Sequence, residues 1–256
     1  MKKVRLAGIL NITPDSFSDG GLYVETNKAV AQAHELFRQG ATIVDIGAES
    51  TNPKAALRTP EEEWQRLEPV IRTLLPKYAH NLSIDSYHPE TIERIAQEFG
   101  SVFIANDVTG MNNGAMRAVV AQRKLRCIIS HLPAQFGTDI HAAHADATMD
   151  DEREVLRELL ARKEELLGLG LTTDMVILDP GIGFGKTTAL NKQLLMFPRL
   201  VPDSEVMIGY SRKRFLGEDR FTLEPNLAAA RIAIAAGVSY LRVHDVAAHH
   251  ALLEHM

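Results

Sequence analysis

The chain has 256 residues, 45% of them hydrophobic and 24% charged, with a formal net charge of -5. This balance predicts a packed core and excludes a disordered chain or a disulfide-dependent miniature. It leaves no basic footprint for nucleic acid, so any anionic ligand must be met by a few local cations. The single cysteine, Cys127, lies in the run Cys127-Ile128-Ile129 and is expected as a buried core thiol. No stretch reaches the ~18 apolar residues of a membrane span. The apolar stretch after Lys2-Lys3 stops at Asn11, too short for a signal peptide. The expectation is a soluble protein of a reducing, cytoplasmic compartment.

In chain order, eight apolar runs cover 4–10, 42–46, 82–84, 102–105, 127–130, 175–178, 206–209 and 240–243. They are rich in Val and Ile and do not alternate, as in parallel strands buried on both faces. Segments of helical period separate them at 27–39, 89–99, 114–123, 151–167, 190–200, 226–236 and 246–254, with one more opening at Thr59. There Thr59-Pro60-Glu61-Glu62 reads as a capping box with proline at the first helical position, and Pro69 is expected to kink the helix. In 151–167, Glu158 and Arg162 are spaced as an i,i+4 pair. Eightfold β–α alternation predicts an α/β chain folded as a single (β/α)₈ TIM barrel, one domain over 1–256. A doubly wound open sheet is the alternative, but no glycine-rich turn follows the first run.

Each run delivers a polar residue near its C-terminal end: Asn11, Asp45 with Glu49, Asp85, Asn106-Asp107, His131, Asp179, Ser211-Arg212-Lys213, and Arg242 with His244 and Asp245. One such residue is readily a helix cap. Eight in register, with charges of both signs, point instead to a site at the barrel mouth. Gly181-Ile182-Gly183-Phe184-Gly185-Lys186 looks like a phosphate loop, but Pro180 stands where that motif needs its first glycine. Its glycines are read either as room for a flat ligand or as a flexible loop. Ser211-Arg212-Lys213-Arg214 and Arg242/His244 suit an anion such as pyrophosphate, because an unpaired guanidinium inside an apolar strand is costly. His141 and His144 are expected at the surface rather than on a metal, His249 and His250 at the surface or in an oligomer contact, and Met111 and Met116 in packing.

Gly8-Ile9-Leu10-Asn11-Ile12-Thr13-Pro14-Asp15-Ser16-Phe17-Ser18-Asp19-Gly20-Gly21 strongly resembles the N-terminal signature of the dihydropteroate synthase family. Asp45-Ile46-Gly47-Ala48-Glu49-Ser50-Thr51, Ser83-Ile84-Asp85-Ser86, Asn106-Asp107, 179–186, Ser211-Arg212-Lys213 and Arg242-Val243-His244-Asp245 follow in family order. The resemblance implies a TIM barrel, usually a homodimer, that makes folate precursors as a transferase. It would join 6-hydroxymethyl-7,8-dihydropterin pyrophosphate to p-aminobenzoate with Mg²⁺ and release pyrophosphate. It implies Asp85, Asn106 and Asp179 on the pterin edge, Lys213 on the pterin carbonyl, Arg242 and His244 on the pyrophosphate, and Asn11 on Mg²⁺. Asp85, Lys213, Arg242 and His244 form the implied catalytic set. Phe17, Thr51, Asn52, Phe184 and Arg214 complete the substrate-binding set, with loop one (13–23) and loop two (49–59) closing over the acceptor.

The sequence departs from the family on the acceptor side. Asn52-Pro53-Lys54 stands for the usual Arg-Pro-Gly, Arg214 for a frequent serine, and Ser130-His131-Leu132-Pro133 for Met-His-Met-Gln. Acceptor choice and sulfonamide response are therefore open. A pterin-binding paralogue that does not condense is one alternative. A pterin-dependent methyltransferase is another, although it needs no pyrophosphate clamp. From the residues alone, Lys213 is also readable as the Schiff-base lysine of an aldolase.

Overall fold

The computed structural model of the chain describes residues 3–12, 21–49 and 58–256, the side chains of 21–24 and 144 apart. Strands β1 (Arg5–Asn11), β2 (Ile43–Gly47), β3 (Leu82–Asp85), β4 (Ile104–Asp107), β5 (Arg126–Ser130), β6 (Val176–Asp179), β7 (Glu205–Ile208) and β8 (Tyr240–Val243) close in sequence order into a parallel barrel. The expected barrel is thus the observed one, with strand ends within two residues of the apolar runs.

Helices α1 (Gly21–Arg38), α2 (Pro60–Tyr78), α3 (Pro89–Phe99), α4 (Gly114–Arg123), α5 (Ile140–Ala145), α6 (Glu152–Gly168), α7 (Thr188–Gln193), α8 (Leu223–Ala235) and α9 (Val246–Glu254) join them. The capping box is real: the Thr59 hydroxyl accepts from the Glu62 N–H at 3.2 Å, and Glu62 accepts from the Thr59 N–H at 2.8 Å. Helix α2 continues as one element through Pro69 and Pro76. The helix expected over 190–200 is instead short. Helix α7 gives way to a 3₁₀ stretch, Leu194–Leu200, that carries Pro198. A proline supplies no N–H and disfavours the helical region for the residue before it.

Side chains two apart on a strand share a face, which stacks the barrel interior in layers. The lowest layer holds Arg5, Arg126 and Glu205, with both guanidinium groups bonded to the Glu205 carboxylate and lying over the Tyr240 ring at 3.9 and 5.7 Å. Above it lie Ala7, Ile43, Ile104, Ile128, Ile177, Met207 and Tyr240, all buried in one apolar cluster. Two residues further along their strands stand Ile9, Asp45, Asn106, Ser130, Asp179, Gly209 and Arg242. Register brings Asp85 beside Asn106, and Ser130 beside Asp179. The interior therefore turns from apolar to polar within one step of the strand repeat, and the polar step faces the C-terminal mouth.

Outside the barrel, Cys127, Met111 and Met116 are buried as expected, and burial pushes the Cys127 thiol up to about 12. His249 is not at the surface. It is fully buried in α9, bonded through Nδ1 to the Asp245 carbonyl at 2.7 Å. The alanine-rich helix gave no apolar stripe from which to read its inward face. Arg162 does not pair with Glu158. It reaches Glu165 at 2.6 Å, and Glu158 turns to His131.

Candidate active site

A cavity of about 640 Å³ opens at the C-terminal mouth. Asn11, Asp85, Asn106, Asp179, Phe184, Lys213, Arg214, Arg242 and His244 all line it, so six of the eight strands and their loops bring these expected residues to one place. Phe17, Thr51, Asn52 and Lys54 lie outside the described residues.

The wall is built from acceptors held by a half-buried cation. The Arg242 guanidinium lies between two carboxylates, donating through Nε to Asp45 Oδ2 and through Nη2 to Asp85 Oδ2, both at 2.6 Å. Burial works against that cation, but Asp45 and Asp85 outweigh it and raise its pKa. Burial also raises the Asp85 carboxyl above the usual carboxylate range, with Arg242 opposing. Asp179 is buried too and its pKa is raised by that burial against the pull of Lys213. Its Oδ1 accepts from the Gly181 N–H at 2.7 Å. Asp107, read with Asn106 as a strand end, faces elsewhere. It accepts from the Thr109 N–H and hydroxyl at 2.7 Å and the Met111 N–H at 3.0 Å, and so shapes the turn after β4.

The cations stand at the rim. Lys213 donates to the Ile182 carbonyl and lies 4.8 Å from the centroid of the Phe184 ring. Burial lowers its ammonium to about 8. His244 Nδ1 is 2.9 Å from Ser211 Oγ. Burial, then Arg212 and Arg242, lower His244 to about 4, so it meets a ligand at neutral pH as an uncharged imidazole. Arg212 is committed to Asp245 at 2.9 Å and adopts a left-handed φ of 61°, its N–H held by Asn226 Oδ1. Arg214 is exposed on the rim, its carbonyl accepting from the Gly217 N–H and its guanidinium without a partner among the described residues.

The glycine-rich segment is closely packed against the loop after β5. A Cβ on Gly181 would lie 2.0 Å from the His131 carbonyl oxygen, and one on Gly185 would meet Phe136 at 2.7 Å. These two glycines serve close packing within the protein, while Gly183 stands beside Lys213. Lys186, which sequence reasoning passed over, organises the turn. Its buried Nζ donates to the carbonyls of Gly181 and Phe184 at 2.9 Å and of His131 at 3.1 Å, one for each ammonium proton. Burial pulls its pKa well down, and the three carbonyls hold the proton in place.

Two other residues were read in the sequence but given no part around the site. Asp45 was seen as a strand end but given no part in the site. Its signal was a carboxylate inside the buried strand Ile43-Val44-Asp45-Ile46-Gly47, where a charge requires a partner. Glu158 carries no local signal, since its partner His131 is brought to it by the fold, with Nε2 at 3.1 Å.

His131 is buried, and that burial, followed by Lys186, lowers it to about 4 while Glu158 opposes. An unfolded histidine takes up a proton near pH 6.5, so the folded chain alone resists protonation between the two values. Stability is then complete above about pH 6.5 and falls as pH drops toward 4. The expected loss between pH 7 and pH 5 is roughly 2 kcal/mol. Urea unfolding at both values should show this extra loss in the parent relative to His131→Gln; parallel behaviour would contradict it.

Among the described residues no three His, Cys, Asp or Glu side chains group as a metal centre, and no helix is long and apolar enough to cross a membrane.

Residues 7–244 match the family model described as "Pterin binding enzyme". The chain is 35% identical over 260 residues to the dihydropteroate synthase of Neisseria meningitidis serogroup C, covering 97% of this chain and 90% of that one. It superposes on Xanthomonas albilineans dihydropteroate synthase with 4-aminobenzoic acid at a TM-score of 0.82 and 37% identity, covering 98% and 91% of the two chains. It also superposes on the Anaplasma phagocytophilum enzyme with bound 6-hydroxymethylpterin-monophosphate at a TM-score of 0.83 and 31% identity, covering 98% and 97%.

Proposed function

We propose, because the chain belongs to the dihydropteroate synthase family of pterin-binding enzymes, that its barrel mouth joins 6-hydroxymethyl-7,8-dihydropterin pyrophosphate to p-aminobenzoate, releasing pyrophosphate. The observation that carries this reading is one cavity that holds an acceptor wall (Asp85, Asn106, Asp179) crossed by the Arg242 guanidinium, with Lys213 and the neutral His244 beside it. A pterin presents several N–H donors on one edge, which carboxylates and an amide oxygen accept. Its carbonyl takes a proton donor, which Lys213 supplies. The solved relatives with 4-aminobenzoic acid and with a pterin phosphate support the same two substrates.

In the reaction the bond between the pterin methylene and its pyrophosphate oxygen breaks, and the electron pair leaves with pyrophosphate. The arylamine nitrogen then bonds to the methylene and loses a proton. Arg242 and His244 meet the charge that develops on the leaving group, the first as a cation and the second as a neutral N–H donor. Ser211 beside Nδ1 leaves Nε2 for that contact. The cation formed at the methylene is conjugated with the pterin ring, which lies against the buried carboxylates. No protein nucleophile is needed, and the site acts by placing the two reactants in line.

Mg²⁺ fits this donor set only as an ion shared with the substrate. Asn11 stands exposed at the mouth with a neutral amide oxygen, and no acidic cage is present among the described residues. Mg²⁺ commonly takes few protein oxygens and completes its shell with phosphate oxygens and water. Bound there, it would neutralise charge on the pyrophosphate. The acceptor carboxylate would be met by Arg214 at the rim together with loop two, where Thr51, Asn52 and Lys54 stand, with Phe17 from loop one covering it.

A homodimer would use exposed apolar side chains such as Met196, Leu200, Phe221, Leu223 and Ile232. Sedimentation at the monomer mass over micromolar concentrations would remove it. A cytoplasmic location agrees with a lone buried cysteine. The decisive experiment is turnover of the pterin pyrophosphate with p-aminobenzoate and Mg²⁺. Dihydropteroate is the expected product. Pterin binding without product would mark a non-condensing relative, and absence of both would overturn the reading.

A further inference from the structure

Asp45 is buried to 1% exposure in the middle of β2, and the reaction above gives it no ligand. Its oxygens are spent within the protein. Asn106 Nδ2 donates to Oδ1 at 3.1 Å and to Oδ2 at 3.2 Å, and Arg242 Nε donates to Oδ2 at 2.6 Å. A carboxylate only accepts, so the Asn106 amide must turn its NH₂ toward Asp45; the flipped amide would set acceptor against acceptor. The carbonyl oxygen of Asn106 is thereby turned away. It is buried and finds no hydrogen-bond partner among the described residues. Asn106 lines the cavity, and a buried acceptor without a donor is an incomplete pair that an incoming N–H completes.

We propose that Asp45 is a positioning residue that sets ligand specificity. By holding the Asn106 amide in one orientation, it makes Asn106 an obligate acceptor toward the bound heterocycle, and so selects a ring bearing N–H at that place. The inference rests on the pterin reading of the cavity and adds to it the device that fixes the polarity of one recognition contact. The same carboxylate holds Arg242, so the group that orients the ring contact also anchors the cation assigned to the leaving group.

Asp45→Asn removes the constraint, because an amide at 45 can present either end and lets Asn106 flip. Calorimetry with 6-hydroxymethylpterin and with analogues in which single edge N–H groups are methylated or replaced by an acceptor provides the test. The parent should reject at least one analogue by on the order of tenfold to a hundredfold, since a site built around a hydrogen bond rejects a ligand lacking it. In the variant that ratio should fall at least tenfold, with 6-hydroxymethylpterin still bound. An unchanged ratio overturns the role of Asp45, whereas a parent that binds no pterin overturns the functional reading itself.

A purely structural Asp45 would lower affinity for every analogue alike and leave the ratio intact. Should the variant fail to fold, ¹⁵N NMR of the parent decides. The Asn106 NH₂ signals should be protected from exchange without ligand and unmoved when pterin binds. NH₂ protons that exchange freely, or that change partner on binding, overturn the proposal.

Discussion

Asp179→Asn is expected to weaken binding of 6-hydroxymethylpterin by on the order of a hundredfold or more, with little change in the thermal unfolding midpoint. Asp179 Oδ1 is committed to the Gly181 N–H, and an asparagine oxygen can keep that bond. The amide NH₂ then replaces Oδ2, and a donor faces the donors of the pterin edge. The penalty is the lost charge-assisted bond plus the unpaired N–H groups it leaves buried. Alanine is the poorer choice, since it also frees the Gly181 N–H and mixes loop disorder with the loss of the contact. Calorimetry reads the affinity and thermal unfolding the control. An affinity within twofold of the parent would remove Asp179 from the site.

Arg242→Met should act on the fold as well as the chemistry. The guanidinium is the partner of both Asp45 and Asp85. Its removal leaves the fully buried Asp45 and the half-buried Asp85 without their shared cation, a change that costs on the order of 3 kcal/mol. Turnover should be lost with it. The pH dependence separates this cause from simple loss of packing. Burial already raises Asp85, and without Arg242 its folded-state pKa climbs further above that of the unfolded chain. A carboxyl so raised contributes stability at low pH and loses it as pH rises through the interval between the two values. The deficit of the variant should therefore be larger at pH 8 than at pH 5 in urea unfolding. Equal deficits would place the effect in packing, and no deficit would mean the carboxylates find other partners.

The barrel was legible because parallel strands buried on both faces leave little choice of residue, and eight such runs with short connections admit few closures. The site was legible because each run ended in a polar group. What the sequence did not carry was pairing. Glu158 and Arg162 have the spacing of partners on α6, yet His131 captures the first and Glu165 the second, since tertiary neighbours outweigh a weak i,i+4 attraction on a solvated face. His249 was misplaced because neighbouring alanines do not mark an inward face. Lys186 was hidden by its likeness to a phosphate-binding lysine, whereas its three acceptors are carbonyls of its own and a neighbouring loop. Asp45 and Arg242 were each visible as charges in apolar strands, but nothing local showed that each answers the other across 197 positions of sequence.

The apolar layer from Ala7 to Tyr240, with the Arg5–Glu205–Arg126 cluster beneath it, closes the barrel at its lower end. Among the described residues the proposed reaction chamber is consequently closed below and open at the C-terminal mouth, and a well of that shape favours an order of traffic. Whatever contacts Asp85, Asn106 and Asp179 must arrive before anything that rests at the rim, and must leave after it. On the proposed reading the pterin is expected to enter ahead of the arylamine; product-inhibition kinetics showing random addition would contradict this.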